Sequence, residues 1–353
     1  MTTKAAKAPA RPSAKVNVAV VGLGFMGVTH LRAYLALPSA RIVSVCDAVR
    51  LPVGGVLQGV AGNIKQSGEV HLGRRVKVFR KLEDVLADPE VALVDLCTPT
   101  PLHAQQAIAA LKAGKNVLCE KPLARTAAEA REVLQAAEAS PGFLMPAFCL
   151  RFWPGWSWLK QTIEQGAYGT VLAARFRRVS ARPAWSRPET YTSGTTGLGG
   201  ALFDLHIHDT DFVQFLWGRP QSVFSTGVTD AAGLIDHVVT QYIYPGGPAV
   251  YAEGGWLQMT GFNMAFTVHC QRATLDFDSA LGADTVRISE PEQPTRSVHF
   301  DEPDGYGAEI RYFLECVARR RPPAIVTARD GVTALEICEA EEKSLRSGAL
   351  ARL

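Results

Sequence analysis

The chain has 353 residues, of which 47% are hydrophobic and 20% charged, and its net charge is +3. That length exceeds what one core organises and predicts two domains, while the composition excludes a disordered chain. The 37 basic and 34 acidic residues are interspersed, which excludes the basic stripe of a nucleic-acid binder, and no window approaches the roughly 18 apolar residues of a membrane span.

Residues 1–15 combine Lys, Arg, Pro, Ala and Ser without a following apolar run, so they read as a mobile tail rather than a secretory signal. The cysteines at 46, 97, 119, 149, 270, 316 and 338 are odd in number and never two residues apart, which suggests neither a disulfide framework nor a zinc site and points to the reducing cytoplasm. From Val16 short apolar runs alternate with helical segments, the pattern of a doubly wound parallel sheet. Strands are predicted at Val16–Val21, Ile42–Cys46, Val76–Phe79, Val91–Cys97, Asn116–Cys119 and Phe143–Pro146. Helices are predicted at Met26–Leu37, Leu82–Ala87, His103–Ala113 and Ala127–Ala139. The stretch Leu51–Arg75, rich in glycine and proline, reads as helix and loop.

Beyond Arg151 the character changes. Apolar runs at Val171–Val179, Ser222–Val228, Val238–Tyr244, Ala249–Trp256, Phe266–Cys270 and Thr274–Phe277 follow one another without intervening helices, except one at Phe203–Leu216, and so predict an antiparallel sheet. Two helices, Tyr306–Arg319 and Arg329–Arg346, close the chain; Arg319, Arg320 and Arg321 fall where the first ends, a place that favours positive charge. The expected organisation is therefore a tail (1–15), a dinucleotide-binding domain (16–148) and a substrate and oligomerisation domain (149–353).

Gly22-Leu23-Gly24-Phe25-Met26-Gly27 follows the first strand and opens a helix. In that context the glycines make the turn, admit a pyrophosphate and allow close helix packing. Asp47 ends the second strand, where a carboxylate accepts hydrogen bonds from ribose hydroxyls and repels a 2′-phosphate, so NAD is expected over NADP, with Arg50 nearby as a tempering charge. Cys119-Glu120-Lys121-Pro122 lies at the carboxyl edge of the fifth strand, where an ammonium can stabilise alkoxide character. Gly200 precedes Asp204, His206, His208, Asp209 and Asp211. Asp204 and His208 are four residues apart, and Asp211 lies three further on, so one helical face carries an imidazole with carboxylates able to orient it. His206 points elsewhere and reads as packing. A metal is the weaker reading of this cluster, and no metal is expected.

Together these marks resemble the glucose-fructose oxidoreductase / inositol dehydrogenase / rhizopine catabolism (Gfo/Idh/MocA) family over Val16–Leu353. The others are Cys97-Thr98-Pro99-Thr100 with His103, then Arg151-Phe152, and Gly305-Tyr306 before an acidic helix. The resemblance implies a Rossmann domain followed by an open, mainly antiparallel sheet that covers the nicotinamide and often forms the oligomer contact, as a homodimer or homotetramer. It implies that Lys121 is the active-site lysine, with Asp204 and His208 as the acid-base pair. Thr98, Pro99, His103 and Glu120 would line the nicotinamide side, and Arg151 and Trp153 would contact a sugar-like substrate. Two other classes stay open: an NAD-dependent glycosidase or lyase working by transient oxidation, and a non-catalytic dinucleotide sensor. Retention of Lys121, Asp204 and His208 together argues against the sensor.

Overall fold

The computed structural model describes residues 15–60, 68–183, 199–282, 285–302 and 304–353. The expected tail, apart from Lys15, and most of the loop Ala181–Gly197 with Trp185 lie outside the described residues.

The first half builds a parallel sheet of six strands. In chain order the strands are β1 (Val16–Val21), β2 (Ala40–Cys46), β3 (Val56–Leu57), β4 (Val70–His71), β5 (Lys77–Phe79), β6 (Leu93–Leu96), β7 (Asn116–Glu120) and β8 (Leu144–Ala147). The sheet order is β5-β2-β1-β6-β7-β8, and every neighbouring pair is parallel. The order reverses beside β1, placing the crevice where β1 and β6 end. β1, β6 and β7 are buried along nearly their whole length, as strands covered on both faces must be. Helices α1 (Phe25–Ala36), α2 (Leu82–Ala87), α3 (His103–Lys112) and α4 (Ala127–Ala139) fill the crossovers. Between β2 and β5 the chain forms a two-stranded antiparallel ribbon, β3 with β4, and no helix among the described residues. This corrects the expected helix there: five glycines and a proline among the described residues of that stretch favour turns, and Gly54, Gly55, Gly68 and Gly73 all take positive φ.

Helix α5 (Pro154–Glu164) leads into a nine-stranded sheet. Its strands are β9 (Val171–Ala181), β10 (Ser222–Thr229), β11 (Ile235–Ile243), β12 (Ala249–Gly255), β13 (Leu257–Cys270), β14 (Thr274–Asp278), β15 (Thr285–Ser289), β16 (Arg296–His299) and β17 (Ala351–Arg352), in the order β16-β15-β14-β13-β9-β12-β11-β10-β17. Eight neighbouring pairs make this sheet, and all but one are antiparallel. The exception is β9 with β12, which run parallel because a helix and two strands separate them in sequence. The last three strands were not expected: β16 and β17 are too polar or too short to show a pattern, and β15 alternates over only five residues.

Helix α6 (Ile207–Trp217) packs on the large sheet, and helices α7 (Tyr306–Ala318) and α8 (Ala328–Ser347) return the chain to the first unit. Ile310, Phe313 and Leu314 of α7, with Val332, Leu335 and Cys338 of α8, join the same apolar core as β1, β6 and β7. Helix α8 starts with a capping box: Thr327 accepts from the Asp330 N–H and Asp330 accepts from the Thr327 N–H. A second core, centred on Trp156, Phe176, Phe212, Phe266 and Phe277, joins α5 and α6 to one face of the large sheet. The site between the two units is therefore held from both sides by packed elements. Among the described residues no helix is long and apolar enough to cross a membrane.

Candidate active site

The glycine loop turns at the carboxyl end of β1. A Cβ at Gly22 would lie 2.5 Å from the Cys97 carbonyl oxygen, and one at Gly27 would lie 1.9 Å from that of Gly22, so neither position admits a side chain. Gly24 differs: it is the N-cap of α1, and a Cβ there would meet open space. The first turn of α1, with Phe25 and Met26, carries neither an acidic residue nor a side-chain cap. Its N–H groups are thus left for an anion, the arrangement that takes a pyrophosphate. Asp47 stands at the end of β2 with one oxygen accepting from the Leu23 N–H at 2.7 Å and the other from the Val49 and Arg50 N–H groups at 2.8 Å. Arg50 turns its guanidinium to the carbonyls of Leu23 and Gln58. Loop, helix terminus and carboxylate together fit a dinucleotide.

On the nicotinamide side the residues sort by exposure. Pro99 caps a short turn, Thr100–Leu102, and the Thr98 hydroxyl donates to Gln106 Oε1 at 2.6 Å. His103, expected to line the cofactor, is instead buried, with its nitrogens 2.8 Å from the Pro122 carbonyl and 2.7 Å from that of Thr98. Burial pulls its pKa down against the pull of these two carbonyls, and the ring serves the two loops that frame the site rather than a ligand. Glu120 is nearly buried; one oxygen accepts the Lys121 backbone N–H at 3.0 Å, and the other lies 3.2 Å from His30 Nε2.

Lys121 and Asp204 meet across the site. The Lys121 ammonium is 2.9 Å from Asp204 Oδ1 and also donates to the Asp204 carbonyl. That carbonyl is available because residues Leu202–His206 form a π-helical turn ahead of α6, a wider turn that loosens the usual backbone pairing. His208, on the first turn of α6, has no hydrogen bond to Asp204, and its Nδ1 is buried without a partner. The expectation that Asp204 orients His208 is corrected here: the ammonium makes a charge-assisted bond that a neutral imidazole cannot match. Burial, then the Lys121 and Arg178 charges, hold the His208 pKa well below the ordinary histidine range, so the ring is neutral at working pH with a lone pair free to take a proton.

Three further residues of this helix serve the fold. Asp211, expected on the His208 face, makes a bidentate pair with Arg151 at 2.7 and 2.8 Å, and Arg151 also donates to the Ile325 carbonyl and lies over the Phe215 ring. Arg151 is only 3% exposed, so it ties α6 to the start of α8 instead of contacting substrate, a further correction. Asp209 is held by Arg178 of β9 at 2.7 Å. His206, read as packing, lies buried, 3.2 Å from the Tyr242 hydroxyl. Trp153 is partly exposed and meets the Tyr306 ring edge-on at 5.7 Å. Arg178 and His30 went unnoticed in the sequence, because nothing local marks a lone arginine in a strand or a histidine inside a helix as facing a site.

A parallel sheet with a glycine loop opening onto a helix terminus, and a lysine, carboxylate and neutral histidine at its carboxyl edge, defines a two-domain, nicotinamide-dependent oxidoreductase. The family profile described as "Oxidoreductase family, NAD-binding Rossmann fold" matches residues 16–148, and that of the GFO/IDH/MocA C-terminal domain matches 156–276. Together they span well over half the chain, and the protein belongs to the Gfo/Idh/MocA family of NAD-binding oxidoreductases.

Levoglucosan dehydrogenase of Pseudarthrobacter phenanthrenivorans is 33% identical over 238 residues, which are 62% of this chain and 59% of that relative. Myo-inositol 2-dehydrogenase of Thermotoga maritima is 25% identical over 341 residues, 94% of this chain and 96% of the relative. Levoglucosan dehydrogenase solved with NADH and levoglucosan superposes with a TM-score of 0.81 at 23% identity, covering 96% of this chain and 99% of that one. The likeness in structure is one of fold.

Proposed function

We propose that the protein is an NAD-dependent dehydrogenase that moves a hydride between the cofactor and a hydroxyl-bearing carbon of a sugar, cyclitol or related polyol. The observation that carries this reading is the meeting of the Lys121 ammonium with Asp204, next to a neutral His208, at the carboxyl edge of the parallel sheet. NAD, when bound, supplies the acceptor for the hydride. Lys121 then stabilises the oxygen of the reacting carbon as it gains alkoxide character, and the His208 imidazole takes the hydroxyl proton. Asp204 fixes the direction of the ammonium. In reduction the same groups work in reverse, with His208 returning its proton to the carbonyl oxygen. Asp47 selects NAD over NADP by accepting ribose hydroxyls where a 2′-phosphate would be repelled. The residues proposed to hold the dinucleotide are Gly22, Leu23, Gly24, Phe25, Met26, Gly27 and Asp47, with Thr98, Pro99, Glu120 and Lys121 toward the nicotinamide. Trp153 is proposed at the rim for substrate.

The large sheet supports a second part of the reading. One face packs on helices, while the other presents Leu172 of β9, Tyr251 of β12 and Phe224 of β10, the last two on either side of Gln241 of β11, each of the three more than a third exposed. An apolar sheet face of this kind is a self-association surface, and a homodimer or homotetramer through it is inferred.

The test of function is a panel of myo-inositol, levoglucosan, aldoses and sugar acids, with NAD and NADP side by side, read as cofactor reduction. Turnover with NAD on one member supports the reading. Tight NADH binding without turnover, combined with release of sugar from glycosides and no net NADH, would replace it with the transient-oxidation glycosidase.

A further inference from the structure

His30 lies three residues beyond Gly27 on the inner side of α1 and is wholly buried. Its Nδ1 is hydrogen-bonded to Asp95 Oδ2 on β6 at 2.8 Å, and its Nε2 is at ion-pair distance, 3.2 Å, from Glu120 Oε1 at the end of β7, without the alignment of a hydrogen bond. The other Glu120 oxygen accepts the backbone N–H of Lys121. One imidazole thus joins two adjacent strands and, one residue further, reaches the lysine at the reacting edge. A third carboxyl, Glu309 of α7, is fully buried in the same cluster with neither oxygen hydrogen-bonded, and the Tyr306 ring stands 6.5 Å from that of His30.

Packing alone does not call for this arrangement. An apolar side chain at position 30 would fill the space between α1 and the sheet without the desolvation cost of an imidazole and three carboxyls. The charge states are also specific. Burial opposes a charge on His30, but Asp95 and Cys97 outweigh it and raise the ring's pKa well above the ordinary value. Burial likewise works against the Glu120 carboxylate, and the neighbouring His30 more than offsets it and lowers its pKa. Glu309 has no such partner, and burial pushes its pKa far up, which disfavours its charged form. The cluster therefore places His30 between two carboxyl groups, its charged form favoured beside Glu120, with charge disfavoured on Glu309.

We propose that His30 is a positioning residue for the reaction: by bridging Asp95 and Glu120 it orients the Glu120 carboxylate, which in turn fixes the Lys121 backbone and sets where the ammonium stands. The inference rests on the role given to Lys121 above. His30 touches none of the reacting atoms; it acts through Glu120.

The test uses the full-length protein, the substrate that turns over in the panel above, and four variants: His30→Leu, His30→Gln, Glu120→Gln and the double variant His30→Gln/Glu120→Gln. Loss of the bridge in His30→Leu is expected to lower kcat by about tenfold or more, since small displacements of a reacting group are costly in rate, with KM and the NADH Kd from fluorescence titration little changed. His30→Gln, whose amide can still donate to one carboxylate, is expected to recover part of the loss. Glu120→Gln is expected to match the loss of His30→Gln, and the double variant to be no worse than the larger single one, as residues acting in one chain are non-additive. A lower melting temperature with wild-type kcat in the folded variants, or losses that multiply in the double variant, would overturn the proposal. Should His30→Leu fail to fold, Glu120→Gln decides: wild-type kcat there overturns the positioning role. Lys121→Ala runs as the control. If it loses turnover while Glu120→Gln does not, the positioning role fails alone; if Lys121→Ala turns over normally, the function reading fails with it.

Discussion

Asp204 stands within reach of Lys121 and close to His208 along its own helix, and the competition between them explains the chemistry of the site. A carboxylate bonded to an ammonium gains a charge-assisted bond, while a histidine kept neutral by burial and two neighbouring cations has little to offer it. Replacing Lys121 by Ala is expected to lower kcat by about 10² or more while NADH titration still shows binding, because the lost interaction belongs to the reacting oxygen. Arg151 behaves oppositely. It is buried and bidentate to Asp211, and Arg151→Met leaves that carboxylate without its partner, so thermal denaturation should show a loss of roughly 3–5 kcal/mol with substrate KM unchanged in the folded fraction. The two residues look alike in sequence, each basic and each just past a strand. Burial alone separates their roles.

The helix that carries the site is two elements in succession, a π-helical turn at Leu202–His206 and then α6. The apolar spacing announced one helix, since the hydrogen bonds that widen its first turn are backbone properties that side-chain periodicity does not encode. The glycine loop was legible as a local motif, although only Gly22 and Gly27 answer a steric demand and that on Gly22 comes from Cys97 of the neighbouring strand end. It also yields a paired prediction. Gly27→Ala places a Cβ inside the Gly22 carbonyl and should lower the melting temperature and NADH affinity together, whereas Gly24→Val fills only the open space over the α1 terminus. The second variant should keep its melting temperature and lose about tenfold in NADH affinity, or ~1.4 kcal/mol, by fluorescence titration.

At the scale of the molecule, two features tie function to assembly of the whole chain. Glu309 comes from α7, near the end of the sequence, and is buried against residues of α1, β6 and β7. Its folded pKa is raised, so its contribution to stability is complete below the unfolded value of about 4.3 and is lost as pH rises toward the folded one, by at most about 1.4 kcal/mol per unit. Glu309→Gln lacks this loss. The difference in melting temperature between variant and wild type should therefore move in favour of the variant as pH rises from 4 to 8; a constant difference would show that the carboxyl is not protonated in the fold. The outer face of the large sheet gives the second test. Tyr251→Glu places a charge among Leu172 and Phe224 and should shift the sedimentation coefficient to that of a monomer, with the fold intact by circular dichroism.

What the sequence by itself determined was everything that depends on neighbours in the chain. It determined the strand-helix alternation of the parallel sheet, the glycine turn with Asp47 at the next strand end, six of the nine runs that pair into the large sheet, and the positions of Lys121 and His208, but not the short ribbon between β2 and β5. Only the tertiary structure decided which charges meet: Lys121 with Asp204 across 83 positions, Arg151 with Asp211 across 60, and His30 with Asp95 across 65. It alone also decided that β9 and β12 run parallel, and that α7 and α8 return to complete the first core. The physical reason is common to all of these. Hydrophobic periodicity and steric turns act over a few residues, whereas the partner of a buried charge is set by the packing of elements distant in sequence, where desolvation leaves each charge dependent on whichever group the fold brings within hydrogen-bond reach.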